Sequence, residues 1–428
     1  MTGALDLPRL PIVLGAGRSG LAAAEALSAA GREVTLVDDD PAGVSGAPVP
    51  VVAPDEVDYE GCEAIIRSPG VASGHPVLQT AHELGIPVWS EVELGYRLLP
   101  PGARVVGVTG TNGKTTTTEL VGAMLRAAGL PYQVCGNVGI ALCEVAPLLP
   151  EGAIAVCELS SFQLEDIISF RCDAAGLINV TPDHLDRHGS MEEYERVKLR
   201  IFENQDEHDT AVLNVDDPFC DDQRRLPGDA EVVRVRAGDA DELEFARSHL
   251  RGDHNRENVA VAAALARAVG VSDDAITAAV RSFRPVPHRL EDCGEVGGVR
   301  FWNDSKATNV DATLKAITAF PDDPVRLILG GSDKGADFVP LAMALSGRVE
   351  RAYLTGPAGR RMVEPLAAHG VNAVLCDDFD DAVRRATADS TAGEHVLLAP
   401  ACASFDEFTD YVARGEYFRE LAVQLGAR

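Results

Sequence analysis

Lysine is scarce in this sequence of 428 residues. Only five of its 38 basic residues are lysines, namely Lys114, Lys198, Lys306, Lys315 and Lys334, and 66 acidic residues bring the formal net charge to −28. A chain this negative repels phosphate backbones and anionic lipids, which disfavours nucleic-acid binding and membrane-surface functions. An anionic ligand would therefore depend on local basic side chains, metal ions or helix N-termini.

Long hydrophobic runs and closely paired cysteines are also absent. No apolar segment approaches the ~18 residues that indicate a transmembrane helix, and the opening residues show neither the basic segment nor the cleavage pattern of a signal peptide. The nine cysteines include no C-x-x-C pair, which indicates reduced thiols. We therefore expect a cytoplasmic protein that does not insert into membranes and functions as a monomer.

Short apolar runs alternate with Ala-rich helical segments along the whole chain, a rhythm typical of parallel α/β sheets. At roughly 150 residues per domain, the length suggests three domains. The sequence Pro100-Pro101-Gly102 and the proline-containing segment 284–290 interrupt the pattern. We predict a Rossmann-like domain over 1–98, a central ATP-binding domain of the P-loop type over 99–288, and a Rossmann-like domain over 289–428.

The segment GVTGTNGKTT (107–116) has the composition of a phosphate-binding loop. It follows an apolar strand and precedes an amphipathic helix, so its backbone N–H groups and the helix N-terminus can converge on phosphate. Lys114 would reach the terminal phosphates and Thr115 could bind Mg²⁺. Val108 stands where the usual loop has its first glycine, which makes this a shortened variant. The alternative is a glycine-rich turn without a ligand.

Lys198 lies on the inward side of a predicted helix. Ser190 and Glu193 have the spacing of a capping box, and the apolar stripe that begins at Tyr194 includes position 198. A lysine on an apolar stripe either extends its amine to solvent or uses it chemically.

These segments together resemble the Mur ligases, ATP-dependent enzymes that join an amino acid to a carboxylate. The matching segments, in chain order, are TGTNGKTT, GNVG, ELSSFQLE, NVTPDHLDRHGSMEEYERVK, HNRENV, PHR, NDSKATN, GGSDKGADF and APACASFDEF. The third and the last two favour the MurD-type branch, which adds D-glutamate to UDP-N-acetylmuramoyl-L-alanine. Sister ligases for other amino acids and folate-tailing enzymes are the nearest alternatives, and the complete first domain argues against the latter.

The resemblance implies an ATP site with two Mg²⁺ ions. The ATP-binding residues would be Gly110, Thr111, Asn112, Gly113, Lys114, Thr115, Thr116, Asn258, Arg289, Asp304 and Lys306, and His254 resembles a further nucleotide-facing residue. The metal ligands would be Thr115, Glu158, His184 and Lys198, the last after carbamylation by CO₂. Lys114, His184 and Lys198 would be the catalytic residues, and His184 would help to deprotonate the attacking amine.

The sequence GAGRSG (15–20), with Asp38 at the end of the next strand, has the G-x-G-x-x-G spacing of a dinucleotide site. Taken alone it predicts an NAD-dependent oxidoreductase, but that function leaves the phosphate loop and Lys198 unexplained. The resemblance assigns this domain to the UDP part of the substrate. The residues concerned are Gly17, Arg18, Ser19, Asp38, Asn137, Ser160 and Gln163. Asp39 and Asp40 stand where a hydroxyl and a basic residue are expected.

The third domain would bind D-glutamate. The resemblance assigns its two carboxylates to Thr308, Lys334 and Ser404, with Tyr411 in place of an expected Phe. We therefore expect ATP to phosphorylate the substrate carboxylate, after which the D-glutamate amine attacks the acyl phosphate. A nucleotide-binding module without catalytic activity is the remaining alternative.

Overall fold

The computed structural model describes residues 6–137, 139–222, 226–284, 287–321, 323–333 and 335–427. Three separate β-sheets are flanked by helices, so the prediction of an α/β fold with Rossmann-like and P-loop-type sheets is confirmed. Within the described residues, no helix combines the length and the apolar character needed to cross a membrane.

The first sheet has five parallel strands in the order β3-β2-β1-β4-β5. The strands are β1 (Ile12–Leu14), β2 (Thr35–Val37), β3 (Val51–Val52), β4 (Ile65–Arg67) and β5 (Val88–Ser90), and the helices are α1 (Arg18–Ala29), α2 (Pro76–Leu84) and α3 (Glu91–Arg97). The strand order reverses between β1 and β4, and ligands of such sheets bind at this reversal. Gly20 is required there, because a Cβ atom would lie 1.8 Å from the carbonyl oxygen of Gly15.

The second sheet has six parallel strands in the order β11-β10-β9-β6-β8-β7. The strands are β6 (Arg104–Thr109), β7 (Tyr132–Gly136), β8 (Ile154–Glu158), β9 (Ala174–Leu177), β10 (Thr210–Asn214) and β11 (Glu231–Val235). The helices are α4 (Lys114–Ala127), α5 (Leu142–Val145), α6 (Ser161–Leu164), α7 (Leu185–His188), α8 (Met191–Leu199), α9 (Pro218–Asp222), α10 (Asp253–Ala268) and α11 (Asp273–Ser282). The inner strands β6, β8 and β9 are almost wholly buried, because helices cover both faces of the sheet.

The third sheet has the order β12-β13-β17-β14-β15-β16. The strands are β12 (Glu291–Val296), β13 (Val299–Asn303), β14 (Val325–Gly330), β15 (Arg351–Thr355), β16 (Ala373–Leu375) and β17 (His395–Leu398), and the helices are α12 (Val310–Thr318), α13 (Val339–Leu345), α14 (Gly356–Ala368), α15 (Phe379–Asp389) and α16 (Tyr411–Gln424). Only β12 is antiparallel. We did not predict β12, which joins β13 through Gly297 and Gly298, both with positive φ.

The chain forms two compact units. The first contains residues 1–248 and 256–283, with the first and second sheets, and the second contains residues 249–255 and 284–428, with the third sheet. In the second unit, the guanidinium of Arg251 lies 5.1 Å from the ring centroid of Trp302. The boundaries at 98/99 and 288/289 stay predictions.

Glu93 connects α3 to the second sheet's domain within the first unit. Its fully buried carboxylate accepts hydrogen bonds from the N–H groups of Ile168, Ser169 and Phe170, at 2.8, 2.9 and 2.8 Å, and from Arg97 Nε at 2.7 Å. A buried carboxylate with four donors leaves all of them unsatisfied when it is removed.

We expect Glu93→Ala to lower the free energy of unfolding by about 3 kcal/mol. Denaturant unfolding followed by circular dichroism measures this loss. The exposed Glu25 on α1 supplies the matched control, because Glu25→Ala should change the free energy by less than about 0.5 kcal/mol. If Glu93→Ala and Glu25→Ala lower the free energy of unfolding equally, the buried Glu93 carboxylate does not make this contribution to stability.

Candidate active site

The glycine-rich loop 110–113 joins β6 to α4 at the carboxyl end of the sheet. Gly113 precedes the helix with φ of +85°, and a Cβ atom there would lie 2.2 Å from Oδ1 of Asn258. Asn258 is buried on α10, and its Oδ1 also accepts a hydrogen bond from Thr117 Oγ1 at 3.3 Å. The glycine thus lets the loop and Asn258 meet closely, and both belong to the predicted ATP site.

Two lysine side chains converge on this loop. Nζ of Lys114 and Nζ of Lys198 both donate to the carbonyl oxygen of Gly110, each at 2.8 Å, and Lys114 also donates to the Thr111 oxygen at 2.8 Å. Lys198 is only 1% exposed, which confirms its predicted inward position. Burial first, and then the charge of Lys114, hold the pKa of Lys198 well below its usual value. The Lys114 ammonium beside a helix N-terminus makes this edge of the sheet suited to an anion.

The loop is fastened to the segment that follows β9. The Thr111 N–H donates to the Asn179 carbonyl oxygen and the Asn112 N–H to Asn179 Oδ1, both at 2.9 Å. Oγ1 of Thr111 accepts from the Thr181 N–H at 2.9 Å and lies 3.2 Å from the Tyr194 hydroxyl. These bonds fix the loop in one conformation before any ligand binds.

Thr115 and Glu158 line one cleft of about 460 Å³. Asn137 Nδ2 donates to Oε1 of Glu158 at 2.9 Å, which orients the carboxylate. Glu119 lines the same cleft, and burial first and Glu158 second raise its pKa. Thr116 is buried beside Thr115 in the first turn of α4. A hydroxyl and two carboxylates form the hard oxygen donor set that Mg²⁺ prefers.

His184 precedes α7 in the left-handed backbone region, with φ of +53°. Its ring packs edge-on against Phe162, with centroids 4.8 Å apart, and its Nε2 lies 3.6 Å from Oδ2 of Asp183. The described residues contain no group of three His, Cys, Asp or Glu side chains positioned to hold a metal. As an ammonium, Lys198 does not fit a second metal site with His184, and only a carbamate would make it a ligand.

The GAGRSG segment forms the loop between β1 and α1. Gly17 precedes the helix, Ser19 lies in its first turn, and Arg18 Nη1 donates to the Gly139 carbonyl oxygen at 3.0 Å. Asp38 accepts from the Ala16 N–H at 2.7 Å through Oδ2. The Asp38 carboxylate therefore holds the loop between β1 and α1. Sequence spacing alone could not distinguish this role from the binding of a ligand.

Asn137, Ser160 and Gln163 follow β7 and β8 at the same edge of the second sheet. Ser160 and Gln163 form a reciprocal capping box at the start of α6. Gln163 is buried, whereas Asn137 bonds to Glu158 as described above. The bond to Glu158 places Asn137 beside the candidate metal cleft.

In the second unit, Asp304 and Arg289 lie close enough for the Arg289 charge to lower the pKa of Asp304. Burial outweighs this effect and raises the pKa of Asp304 to about 7. His254 is partly buried in the same unit, and burial, followed by the charges of Lys315 and Arg289, lowers its pKa to about 4. Lys315 pairs with Asp311 at 3.2 Å on the partly exposed face of α12.

Lys306 and Tyr411 form a cation–π contact, with the Lys306 Nζ 3.9 Å from the ring centroid. Thr308 follows Lys306 in the loop after β13, and its N–H donates to the Lys306 carbonyl oxygen at 2.8 Å. Ser404 is buried in the loop after β17. Lys334 lies outside the described residues.

Known proteins resemble this chain along almost its whole length. The Mur ligase middle domain matches residues 108–242, and the Mur ligase glutamate ligase domain matches residues 288–402. A protein from Solibacter usitatus named UDP-N-acetylmuramoylalanine–D-glutamate ligase is 42% identical over 434 residues, which cover 96% of each chain. One of the same name from Koribacter versatilis is 39% identical over 440 residues, again covering 96% of each chain. The chain belongs to the Mur ligase family.

Solved structures show the fold of this Mur ligase at lower sequence identity. A pseudomurein peptide ligase type C from Methanothermus fervidus covers 97% of this chain and 100% of its own, with a TM-score of 0.61 and 16% identity. The UDP-N-acetylmuramate–alanine ligase MurC from Thermotoga maritima covers 97% of this chain and 99% of its own, with a TM-score of 0.58 and 17% identity.

Glu119 is the residue of this Mur ligase cleft that our sequence reasoning missed. It lies four positions after Thr115 on α4, and residues four apart share one helix face. That spacing was the signal that could have identified it, because a carboxylate one turn after the predicted metal-binding hydroxyl reaches the same cleft.

The raised pKa of Asp304 predicts a pH-dependent stability of this Mur ligase. Because the folded-state pKa of about 7 exceeds the usual 3.8, ionised Asp304 destabilises the folded state. This penalty is absent below about pH 4 and complete above about pH 7. Asp304→Asn should therefore raise the free energy of unfolding at pH 8 by about 2–4 kcal/mol, and by less at pH 5.

Denaturant unfolding at both pH values tests this expectation. The exposed Asp377 of the same unit provides the control, and Asp377→Asn should stay within about 0.5 kcal/mol of wild type. A gain from Asp304→Asn of the same size at pH 5 and pH 8 would show that ionisation of Asp304 is not the cause.

Proposed function

We propose that this chain is an ATP-dependent ligase that adds D-glutamate to UDP-N-acetylmuramoyl-L-alanine in cytoplasmic peptidoglycan precursor synthesis. The proposal is supported by the names of the curated relatives, at about 40% identity along almost the whole chain. The structural observation that carries the proposal is that the Nζ atoms of Lys114 and Lys198 both donate to the carbonyl oxygen of Gly110, in the loop before α4.

The proposed reaction has two steps. The substrate carboxylate takes the γ-phosphoryl group of ATP, which gives an acyl phosphate and ADP; the D-glutamate amine then attacks the acyl carbon and releases phosphate. Lys114 and the N–H groups of the loop before α4 would neutralise charge on the transferred phosphoryl group. His184, whose side chain is 44% exposed, would accept the proton from the attacking amine.

The cleft of Thr115, Glu119 and Glu158 fits a magnesium ion. Its ligands would be the hydroxyl and the carboxylates, because Mg²⁺ binds hard oxygen donors. When bound, the metal supplies positive charge to the phosphate oxygens. The protein side chains prepare the cleft: Asn137 orients Glu158, and the bonds of Thr111 and Asn112 hold the loop above the helix.

We also propose that Lys198 is carbamylated, so that His184 and the carbamate could hold a second Mg²⁺. In this step the unprotonated amine attacks CO₂, forms an N–C bond and releases a proton. The lowered pKa of Lys198 favours the unprotonated amine that this reaction requires. The product carries a negative charge in place of an ammonium, which changes the residue from one that repels a cation to one that binds it.

Phosphate release from ATP in the presence of UDP-N-acetylmuramoyl-L-alanine tests the proposed function. We expect release with D-glutamate and little release with L-glutamate, L-lysine or meso-diaminopimelate. Release that does not depend on D-glutamate would exclude the proposed specificity, and preference for another amino acid would identify a sister ligase. Failure to use ATP under all these conditions would instead favour a binding module.

A further inference from the structure

The guanidinium of Arg414, on α16, contacts three loops of the second unit. Its Nε donates to Ser305 Oγ at 3.0 Å, and its Nη2 donates to the carbonyl oxygens of Ser305 and Cys402 at 2.9 and 3.0 Å. Its Nη1 donates to the Ala403 oxygen at 3.2 Å. A Cβ atom on Gly331, whose φ is +129°, would lie 3.1 Å from Nη1, so the third loop also packs against the guanidinium.

These three loops follow the neighbouring strands β13, β17 and β14. They also carry the residues that we propose for D-glutamate: Thr308 follows Ser305, Ser404 follows Ala403, and Lys334 comes three positions after Gly331 in sequence. One side chain therefore joins the backbone segments that must be arranged together to bind the amino acid. Arg414 itself belongs to none of the motifs considered in the sequence.

No carboxylate forms a close ion pair with Arg414 within the ranges that the structure describes, although the more distant charge of Asp406 partly compensates it. All four of its hydrogen-bond acceptors are neutral oxygens, and its side chain is only 2% exposed. Burial lowers its pKa to about 10, which still leaves it protonated at neutral pH. A buried cation without a close ion-pair partner is costly to the folded protein, and an anion that binds nearby recovers part of that cost.

The peptide group between the buried residues Ala403 and Ser404 links this charge to the loop after β17. Its carbonyl oxygen accepts from Arg414 Nη1 and from the Ser332 N–H, the latter at 2.9 Å. In a trans peptide the N–H points away from the carbonyl, so the Ser404 N–H is directed away from the guanidinium. This N–H meets no acceptor among the described residues and lies beside the Ser404 hydroxyl. A carboxylate that reaches this buried position would meet two donors.

We propose that Arg414 is a positioning residue for the dicarboxylate amino acid: its guanidinium holds the three loops together, and its charge favours the binding of carboxylates beside them. The inference rests on the proposed function, because it takes the loops after β13, β14 and β17 as the D-glutamate site. Arg414 acts through these loops and does not itself touch the substrate.

Steady-state kinetics of Arg414→Met in the full chain tests this proposal, since methionine removes the charge and keeps much of the side-chain length. We expect the KM for D-glutamate to rise by about tenfold or more, equivalent to the loss of one charged hydrogen bond. The KM values for ATP and for the UDP substrate should stay within about twofold. Partial unfolding cannot imitate this result, because a smaller active fraction lowers kcat and leaves KM unchanged.

Arg419 provides the matched control, because it lies on the same helix with a half-exposed side chain paired to Glu416. Arg419→Met should leave all three KM values unchanged. If Arg414→Met does not fold, Arg414→Lys provides the test, because lysine keeps the charge but lacks the several N–H donors of the guanidinium. We expect this variant to show a smaller rise that is confined to the KM for D-glutamate. An unchanged KM for D-glutamate in a folded variant, or an equal rise in all three values, overturns the inference. If phosphate release by the wild-type enzyme does not depend on D-glutamate, the proposed function is wrong instead.

Discussion

Lys198→Ala is expected to lower kcat by about a thousandfold or more, and short carboxylates such as acetate are expected to restore part of the lost activity. The side chain is 1% exposed and its Nζ bonds to the Gly110 oxygen, so its removal empties a position at the phosphate loop. If the native group is a carbamate, a small carboxylate that enters this space supplies the missing negative oxygens. Phosphate release measured over a range of acetate concentrations gives the rescue directly.

Lys198→Arg separates the carbamate from a simple positive charge. Arginine retains a cation but does not form the carbamate, so this variant should be as inactive as Lys198→Ala and should not respond to acetate. Activity of Lys198→Arg close to wild type would contradict carbamylation. Circular dichroism of both variants establishes that the loss of activity is not a loss of fold.

Lys114→Met is expected to lower kcat/KM for ATP by about a hundred- to a thousandfold, without rescue by acetate. In the structure the Lys114 ammonium is held by the carbonyl oxygens of Gly110 and Thr111, so it is already fixed at the N-terminus of α4. A fixed charge stabilises a developing phosphoryl charge without having to reorganise. Methionine fills the same space and removes that charge alone.

Lys198→Ala and Lys114→Met serve as controls for each other when phosphate release is measured with and without acetate. Both remove a donor to the Gly110 oxygen, but only Lys198 is proposed to become a negative group. Rescue by acetate of both variants would point to a general salt effect. A value of kcat/KM for Lys114→Met within about threefold of wild type would exclude a role of this lysine in phosphoryl transfer.

Most of the strands, the loop and the inward position of Lys198 could be predicted because they depend on local patterns. Apolar runs, glycine positions and helical spacing are visible over a few residues. By contrast, Lys198 and Gly110 are 88 positions apart, and their meeting is decided by how β6 and α8 pack. Sequence spacing indicates that a side chain points inward, but not which atom it meets there.

Asp38 and Arg414 illustrate what the sequence could not supply. Both bond to main-chain groups: Asp38 to the Ala16 N–H, and Arg414 to carbonyl oxygens of two loops. Every residue except proline offers the same N–H and carbonyl groups, so no residue type marks such a partner. The pairing of β12 with β13 was missed for a related reason, since the short Gly297-Gly298 turn left no separate apolar run.

The division of the chain affects how it can be cut into fragments. Because residues 249–255 pack with the third sheet, although α10 from residue 256 onward and α11 belong with the second, neither compact unit is one continuous piece of polypeptide. A fragment that begins at 284 would lack Arg251 and leave the rings of Trp302 and Phe320 without the cation that covers them. Expression of the C-terminal unit alone therefore requires the heptapeptide 249–255 to be joined back to it, for instance through a short linker to residue 284.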